Sequence, residues 1–173
     1  MRKILCFFLC FLILLPSFGC QRPNDNYNFS FYYPRSDYGY NTQEEKFYDE
    51  IIDKEIREVI SPASLHDVIR MYLTGPMVQE LVNPYPSHIS LESVVVEGQV
   101  LYITVSDHLS ELSGIHLIIA CACLGKTGME LTNTTSVQIS CKKALLDGKK
   151  FITLQNDQII VNDVTPTVTS NQE

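Results

Sequence analysis

Residues that could do chemistry fall into three groups, and each has a plain structural rival. In the stretch LIIACACLGKTGMEL, residues 117–131, Gly125-Lys126-Thr127 ends the way a phosphate-binding loop does. Such a loop also needs a glycine five positions earlier, to begin the ring of backbone N–H groups that holds the phosphates. Ala120 stands there, inside an apolar block, so the triplet predicts no nucleotide site. Cys121 and Cys123 are two apart, which on a helix points their side chains about 200° from each other. They cannot share a metal ion on such a helix, and a buried thiol behaves as a small hydrophobe. Core packing is the expectation for both, with a redox or metal role shared with Cys141 as its rival.

His66, His88, His108 and His116 show no zinc-protease spacing, and no Gly-x-Ser-x-Gly elbow accompanies them. Ser106, Asp107 and His108 are contiguous, whereas a catalytic triad needs side chains that converge through defined hydrogen bonds. A turn is the expected use of these three. Asn133-Thr134-Thr135 matches a glycosylation sequon and is read as a chance match. The residues therefore predict no catalytic group, no metal site and no cofactor.

The elements that would position these side chains follow from periodicity. In YNFSFYY, Tyr27, Phe29, Phe31 and Tyr33 alternate with Asn28, Ser30 and Tyr32, which predicts a half-buried strand closed by Pro34. Over residues 44–60, Phe47, Ile51, Ile52, Ile56, Val59 and Ile60 fall near helical spacing, and a helix is the local reading. Ser61-Pro62 reads as an N-cap with proline at the first helical position. Leu65, Val68, Ile69, Tyr72 and Leu73 then repeat at helical spacing, and Gly75-Pro76 stops the helix. After NPYP, the run LESVVVEGQVLYITVS predicts a hairpin turning at Gly98. The block 115–124 predicts a buried helix, SVQISC a strand, and LLDGKKFITL a turn at Asp147-Gly148 followed by a strand. Residues 159–161 would add an edge strand.

The first nineteen residues have the layout of a secretory signal peptide. Arg2 and Lys3 precede an apolar run from residue 4 to 15, and Ser17-Phe18-Gly19 offers a small-residue cleavage site. That run is too short for a membrane span, which needs roughly 20 residues. Cys20 follows Gly19 as in the lipobox of bacterial lipoproteins, whose cysteine receives a diacylglycerol; simple cleavage before Cys20 is the alternative. Two acyl chains would anchor the protein stably where one would not. The predicted organisation is a signal peptide at 1–19, a short lipid-anchored linker at 20–26, one domain at 27–162 and a polar tail at 163–173. The stretch 21–26 reaches about 20 Å at most, so the domain stays close to the outer surface of the cell membrane.

The full chain carries a formal charge of −7. Removing residues 1–19 takes two basic side chains and no acidic one, leaving 11 against 20, or −9. Such a domain is repelled by nucleic acid and by anionic headgroups, so attachment to the membrane falls to the lipid. Three cysteines remain beside Cys20, an odd number that argues against a disulfide framework within one molecule. Residues 44–58 are acidic, whereas Lys142, Lys143, Lys149 and Lys150 cluster. These are solvated faces or, alternatively, unlike patches that join neighbouring copies head to tail, with the four lysines as the assembly patch.

Read in order, LHDVIRMYLTGP, the proline-rich turn, LESVVVEGQVLYITVS, LSGIHLIIACACLGKT and SVQIS resemble the GerM domain of sporulation and germination lipoproteins. The residues that carry the resemblance best are Leu73, Gly75 and Pro76, then Pro84 and Pro86, Gly98, and Ser106. The resemblance implies an α+β domain in which two core helices pack on one face of a small, mainly antiparallel sheet, like ring-building modules of the spore envelope. It implies protein-protein assembly without catalysis, makes GIHLIIACACLGKT the second core helix, and places a strand near residues 54–60 against the local helix reading. Family members with two such domains exist, while this chain has room for one. The expected function is that of a membrane-anchored extracytoplasmic lipoprotein that docks envelope or sporulation proteins or copies of itself. The alternative is an extracellular module for a cell-wall polymer or small ligand, served by the aromatics of YNFSFYYPRSDYGY.

Overall fold

The computed structural model describes residues 26–36, 51–60 and 64–159. Strand β1 (Asn26–Pro34) pairs antiparallel with β2 (Ile52–Ile60), with Phe31 opposite Glu55 and Tyr33 opposite Asp53. Helix α1 (Leu65–Leu73) follows. Then come β3 (Leu91–Glu97), β4 (Val100–Val105), a 3₁₀ turn (Asp107–Glu111), α2 (Gly114–Thr132), β5 (Ser136–Cys141) and β6 (Ile152–Gln155). The second sheet runs in the order β3-β4-β5-β6, antiparallel except where β4 and β5 lie parallel. A parallel pair cannot be joined by a tight turn, and α2 supplies the crossover. The class is α+β, with two helices and two mainly antiparallel sheets where one small sheet was expected.

The four-stranded sheet turns Leu101, Ile103, Val105, Val137 and Ile139 inward, all fully buried. Helix α2 approaches this face through two glycines. A Cβ on Gly128 would sit 2.5 Å from Leu101 Cδ2, and one on Gly125 would sit 2.8 Å from Val137 Cγ1. On its other side α2 lies along β1, whose Tyr32 N–H donates to Thr127 Oγ1 at 3.0 Å. Being walled by two sheets, the helix is apolar nearly all round, as helices with no wet face are. It is long and apolar enough to cross a membrane, yet Leu117, Cys123, Leu124 and Met129 are core residues here. The helix runs eight residues beyond Leu124, the end of the apolar block, to Thr132, and is capped by Asn133 in the left-handed region with φ 53°.

Residues 52–60 are a strand, and the helix read locally over 44–60 is corrected there; residues 44–50 lie outside the described residues. The hydrophobic spacing misled because β2 inverts the usual pattern. Ile56 is 64% exposed, while Glu55 and Arg57 face inward and are buried. They can do so because each satisfies the other. Arg57 Nε donates to Glu55 Oε1, its Nη2 donates to the Gly75 carbonyl at 2.5 Å, and its guanidinium lies 4.9 Å from the Phe31 ring centre. Glu55 Oε2 accepts from the amides of Met77 at 2.8 Å and Val78 at 3.3 Å. Burial pushes the Glu55 carboxyl up, but the Arg57 bond and the two amides outweigh it and hold it below its ordinary value.

Strand β1 is more buried than alternation predicts: Phe31, Tyr32 and Tyr33 are all buried, because one face packs on α1 and the edge on α2. A chain of tyrosine hydroxyls then locks the layers. Tyr33 donates to the Tyr72 carbonyl at 2.6 Å, Tyr72 to the Tyr32 carbonyl at 2.8 Å, and Tyr85 to the Ala120 carbonyl at 2.9 Å. Helix α1 starts at Ser64, whose hydroxyl accepts from the Asp67 amide while Asp67 reaches back to the Ser64 N–H. The expected cap at Ser61, with Pro62 as the first helical residue, is corrected: the cap is Ser64, three residues later, because Ser64 and Asp67 satisfy each other's free backbone N–H groups. Ser61 and Pro62 themselves lie outside the described residues. Gly98 has φ 61° in the two-residue turn between β3 and β4. Ile159 follows a short 3₁₀ turn and belongs to no strand; residues 160 and 161 of the expected edge strand lie outside the described residues.

Candidate functional site: an apolar ridge beside a pinned basic loop

The first turns of α2 are its one exposed apolar part. Ile115 is 54% exposed and Ile118 55%, and with half-buried Ala122 they form a stripe at i, i+3 and i+7. Two depressions flank this ridge and share Ile119 as a wall. One, of about 290 Å³, is lined by isoleucines 51, 52, 115 and 118 with Ile159. The other, of about 360 Å³, lies between Pro34, Val82, Pro84 and Leu112, with Arg35, Asn83 and His116 as polar groups. Neither has an aspartate or glutamate among its described lining residues, in a chain with 20 acidic side chains. Contiguous exposed apolar surface of this kind marks a contact site more often than chance.

A lysine-bearing loop adjoins the start of the helix. Lys142 and Lys143 leave β5, the chain turns at Asp147 (φ 45°) and Gly148 (φ 79°), and Lys149 and Lys150 lead towards β6. All four lysines are exposed, as are Leu145 (52%) and Phe151 (46%). The loop is held firmly. Leu146 is fully buried and exchanges two backbone hydrogen bonds with Lys149, at 2.8 and 2.9 Å. Asp107 Oδ1 accepts from the amides of Lys143 at 2.7 Å and Ala144 at 2.9 Å, and these amides hold its carboxyl below the ordinary range. Asp147 Oδ2 accepts from the Gly114 amide at 3.0 Å, tying the turn to the residue before Ile115. Lys142 pairs with Glu92 at 2.8 Å, which raises its pKa, while Lys143, Lys149 and Lys150 have no ion pair among the described residues.

The four lysines expected as an assembly patch, Lys142, Lys143, Lys149 and Lys150, lie on or beside this one hydrogen-bonded loop. In the described part of the acidic run over residues 44–58, Glu55 is buried against Arg57 and Asp53 pairs with Arg35 at 3.5 Å, while Glu58 is exposed. Sequence reasoning missed the ridge, because Ile115 and Ile118 lie inside an apolar block with nothing local to mark which side is covered.

The other candidates resolve into structure. Gly125, Lys126 and Thr127 sit mid-helix: the glycine admits Val137, Lys126 Nζ donates to Asn156 Oδ1 at 3.1 Å, and Thr127 holds the edge of β1. Cys121, Cys123 and Cys141 are free and buried; burial pushes the Cys121 thiol up to about 12, and raises Cys123 further and Cys141 as well. No cluster of three His, Cys, Asp or Glu side chains among the described residues could hold a metal ion. Ser106, Asp107 and His108 diverge: Ser106 Oγ accepts from the Ser90 amide, Asp107 holds the lysine loop, and His108 meets Glu111 at 2.7 Å.

The residues that carried the resemblance have identifiable roles. Leu73 is buried at the end of α1, and Gly75 (φ 100°), before Pro76, leaves room for Asn83. The Pro86 carbonyl accepts from Ile89, and Pro84 lines the larger depression. Of the aromatics named for the ligand-binding alternative, Phe31, Tyr32 and Tyr33 are buried, Tyr27 is 46% exposed and stacks on Phe29 with ring centres 6.3 Å apart, and Tyr38 and Tyr40 lie outside the described residues.

No family model matches the sequence, and no curated protein matches it. Two solved structures match. The tandem GerMN domains of the sporulation protein GerM from Bacillus subtilis match with a TM-score of 0.55 at 12% identity, over 85% of this chain and 51% of that one. This chain therefore spans about half the length of that protein. A Clostridium perfringens protein, provisionally described as a lipoprotein, matches with a TM-score of 0.44 at 14% identity, over 78% of this chain and 90% of that one. With two mainly antiparallel sheets around a glycine-bearing core helix, the chain has the fold of the GerM family.

Proposed function

We propose that this is an extracytoplasmic lipoprotein, anchored in the cell membrane through Cys20, whose single GerM-like domain at residues 27–162 works by binding proteins and not by catalysis. In this reading residues 1–19 are the removed signal peptide, 20–26 the tether and 163–173 a polar tail. The observation that carries the binding role is the exposure of Ile115 and Ile118 on a helix otherwise sunk in the core, beside three lysines that have no ion pair among the described residues. A folded monomer gains nothing from leaving two isoleucines in water at about 25 cal/mol per Å² of apolar surface. The fold likeness to a sporulation protein supports a role in spore formation or germination, with envelope proteins or further copies of this chain as partners. Helices laid on one face of a sheet, as in ring-building modules, would suit a repeating contact.

In-cell cross-linking of the tagged protein in sporulating and in growing cells, with mass spectrometry of the captured species, tests this. Envelope proteins or ladders of the protein itself, enriched in sporulating cells, are expected. Recovery of the monomer alone in both states would overturn the assembly reading. Radiolabelled palmitate retained by wild type and lost from Cys20→Ala tests the anchor.

A further inference from the structure

Resting on that assembly reading, we infer that the ridge and the lysine loop together form one docking face, and that it takes an acidic peptide segment of a partner protein with apolar side chains to seat in the two depressions. The apolar and charged halves of the face are joined by the Asp147–Gly114 hydrogen bond, so they present as one surface. Its centre is isoleucine and its flank is lysine, with no carboxylate among the described residues lining either depression. Among the described residues, Lys143, Lys149 and Lys150 have no ion pair to break before they meet a carboxylate. An apolar centre with a polar rim is how protein contacts are built, and complementary charge at the rim sets partner choice and encounter rate. The loop is already ordered by Leu146, Asp107 and Asp147, so little conformational freedom is lost on binding.

The end of the domain at which the described chain begins favours a protein over a bilayer as the occupant. Strand β1 runs opposite to α2: Pro34 lies with His116 and Ile119, while Tyr32 already reaches Thr127 and Glu130. Asn26, where the described chain begins, therefore lies beyond the far end of α2 from the ridge. The nineteen residues of α2 alone span about 28 Å at 1.5 Å each. A lipid anchor joined through residues 21–25 would therefore attach at the end of the domain away from the ridge.

The test places a photo-reactive benzoylphenylalanine at Ile118 or Lys149 of the full-length lipoprotein, with a control at Tyr102, whose side chain shares the opposite face of the sheet with Gln138. Cross-linked peptides are identified by mass spectrometry in sporulating cells. Peptides of another polypeptide in which aspartate and glutamate outnumber basic residues around apolar side chains are expected from Ile118 and Lys149. Their yield should fall at least about fivefold on combining Lys149→Glu with Lys150→Glu. Capture from Tyr102 but from neither face position would overturn this inference while leaving the assembly reading standing. Capture from no position, with only monomer recovered, would sink both. Cross-links to lipid, to basic segments, or to residues 37–50 within the same molecule would overturn the docking face as assigned.

Discussion

Replacing Arg57 by methionine tests the account of β2 most sharply, because the change keeps an apolar stem of similar length and removes only the guanidinium. That group donates to the Glu55 carboxylate and to the Gly75 carbonyl, meets the Tyr33 hydroxyl at 3.4 Å, and lies over the Phe31 ring. Removing one member of a buried pair costs about 3–5 kcal/mol, because the remaining charge is left without its partner. Glu55 keeps the Met77 and Val78 amides, so the lower end applies, and about 3 kcal/mol is expected. For a domain of this size that lowers Tm by roughly 10 °C. Urea denaturation of the protein lacking residues 1–19 measures it. Glu55→Leu should cost a similar amount by stranding Arg57. Glu55→Leu combined with Arg57→Met should cost clearly less than the two single losses added, with a coupling of at least about 1.5 kcal/mol. A loss below about 1 kcal/mol for Arg57→Met, or strictly additive losses, would refute the claim that mutual neutralisation lets this strand turn its charges inward.

Gly128→Val should destabilise by about 1–3 kcal/mol through overpacking, since its Cβ would meet Leu101 at 2.5 Å in a filled core; an unchanged Tm would contradict the close helix–sheet contact. Native Cys121 and Cys123 should resist a thiol reagent at pH 8 and react fully in denaturant, because burial keeps both thiols protonated; rapid labelling of the folded protein would contradict their place in the core. Asp107 and Glu55 both have depressed carboxyl pKa values in the fold. Their stabilisation is present above the unfolded values near 4 and is lost as pH falls through the folded ones, so urea midpoints should drop below about pH 4. In Asp107→Asn that acid-side drop should shrink; an identical pH profile would remove Asp107 from the account.

How much of this was legible in the sequence depended on whether the signal was local. Helix α1, the hairpin at Gly98, β5 and the Asp147-Gly148 turn were readable because each carries its own periodicity or positive-φ residue. The β2 strand was not, because its inward residues are an ion pair whose partners, Phe31, Gly75 and Met77, come from elsewhere in the chain. The resemblance to GerM domains placed a strand there, since a family pattern carries tertiary information that spacing does not. The cysteines and the Gly-Lys-Thr triplet were readable as core by what they lacked, a first glycine and a convergent geometry. The lysines were visible as a cluster, but not the buried Leu146 and the two aspartates that fix them. Nor was the ridge visible: which side of an all-apolar helix stays uncovered is decided by how far two separate sheets extend along it.

The central claim is that the exposed start of α2 is a contact surface. Ile118→Asp isolates it, because a side chain 55% exposed should change stability by no more than about 0.5 kcal/mol. The decisive measurement is the cross-linked yield of protein complexes in sporulating cells for wild type and Ile118→Asp, at equal levels of folded protein verified by matching melting curves. A fall of about tenfold or more, equivalent to about 1.4 kcal/mol of contact energy, is the result the account predicts. Equal yields from the two proteins would contradict it.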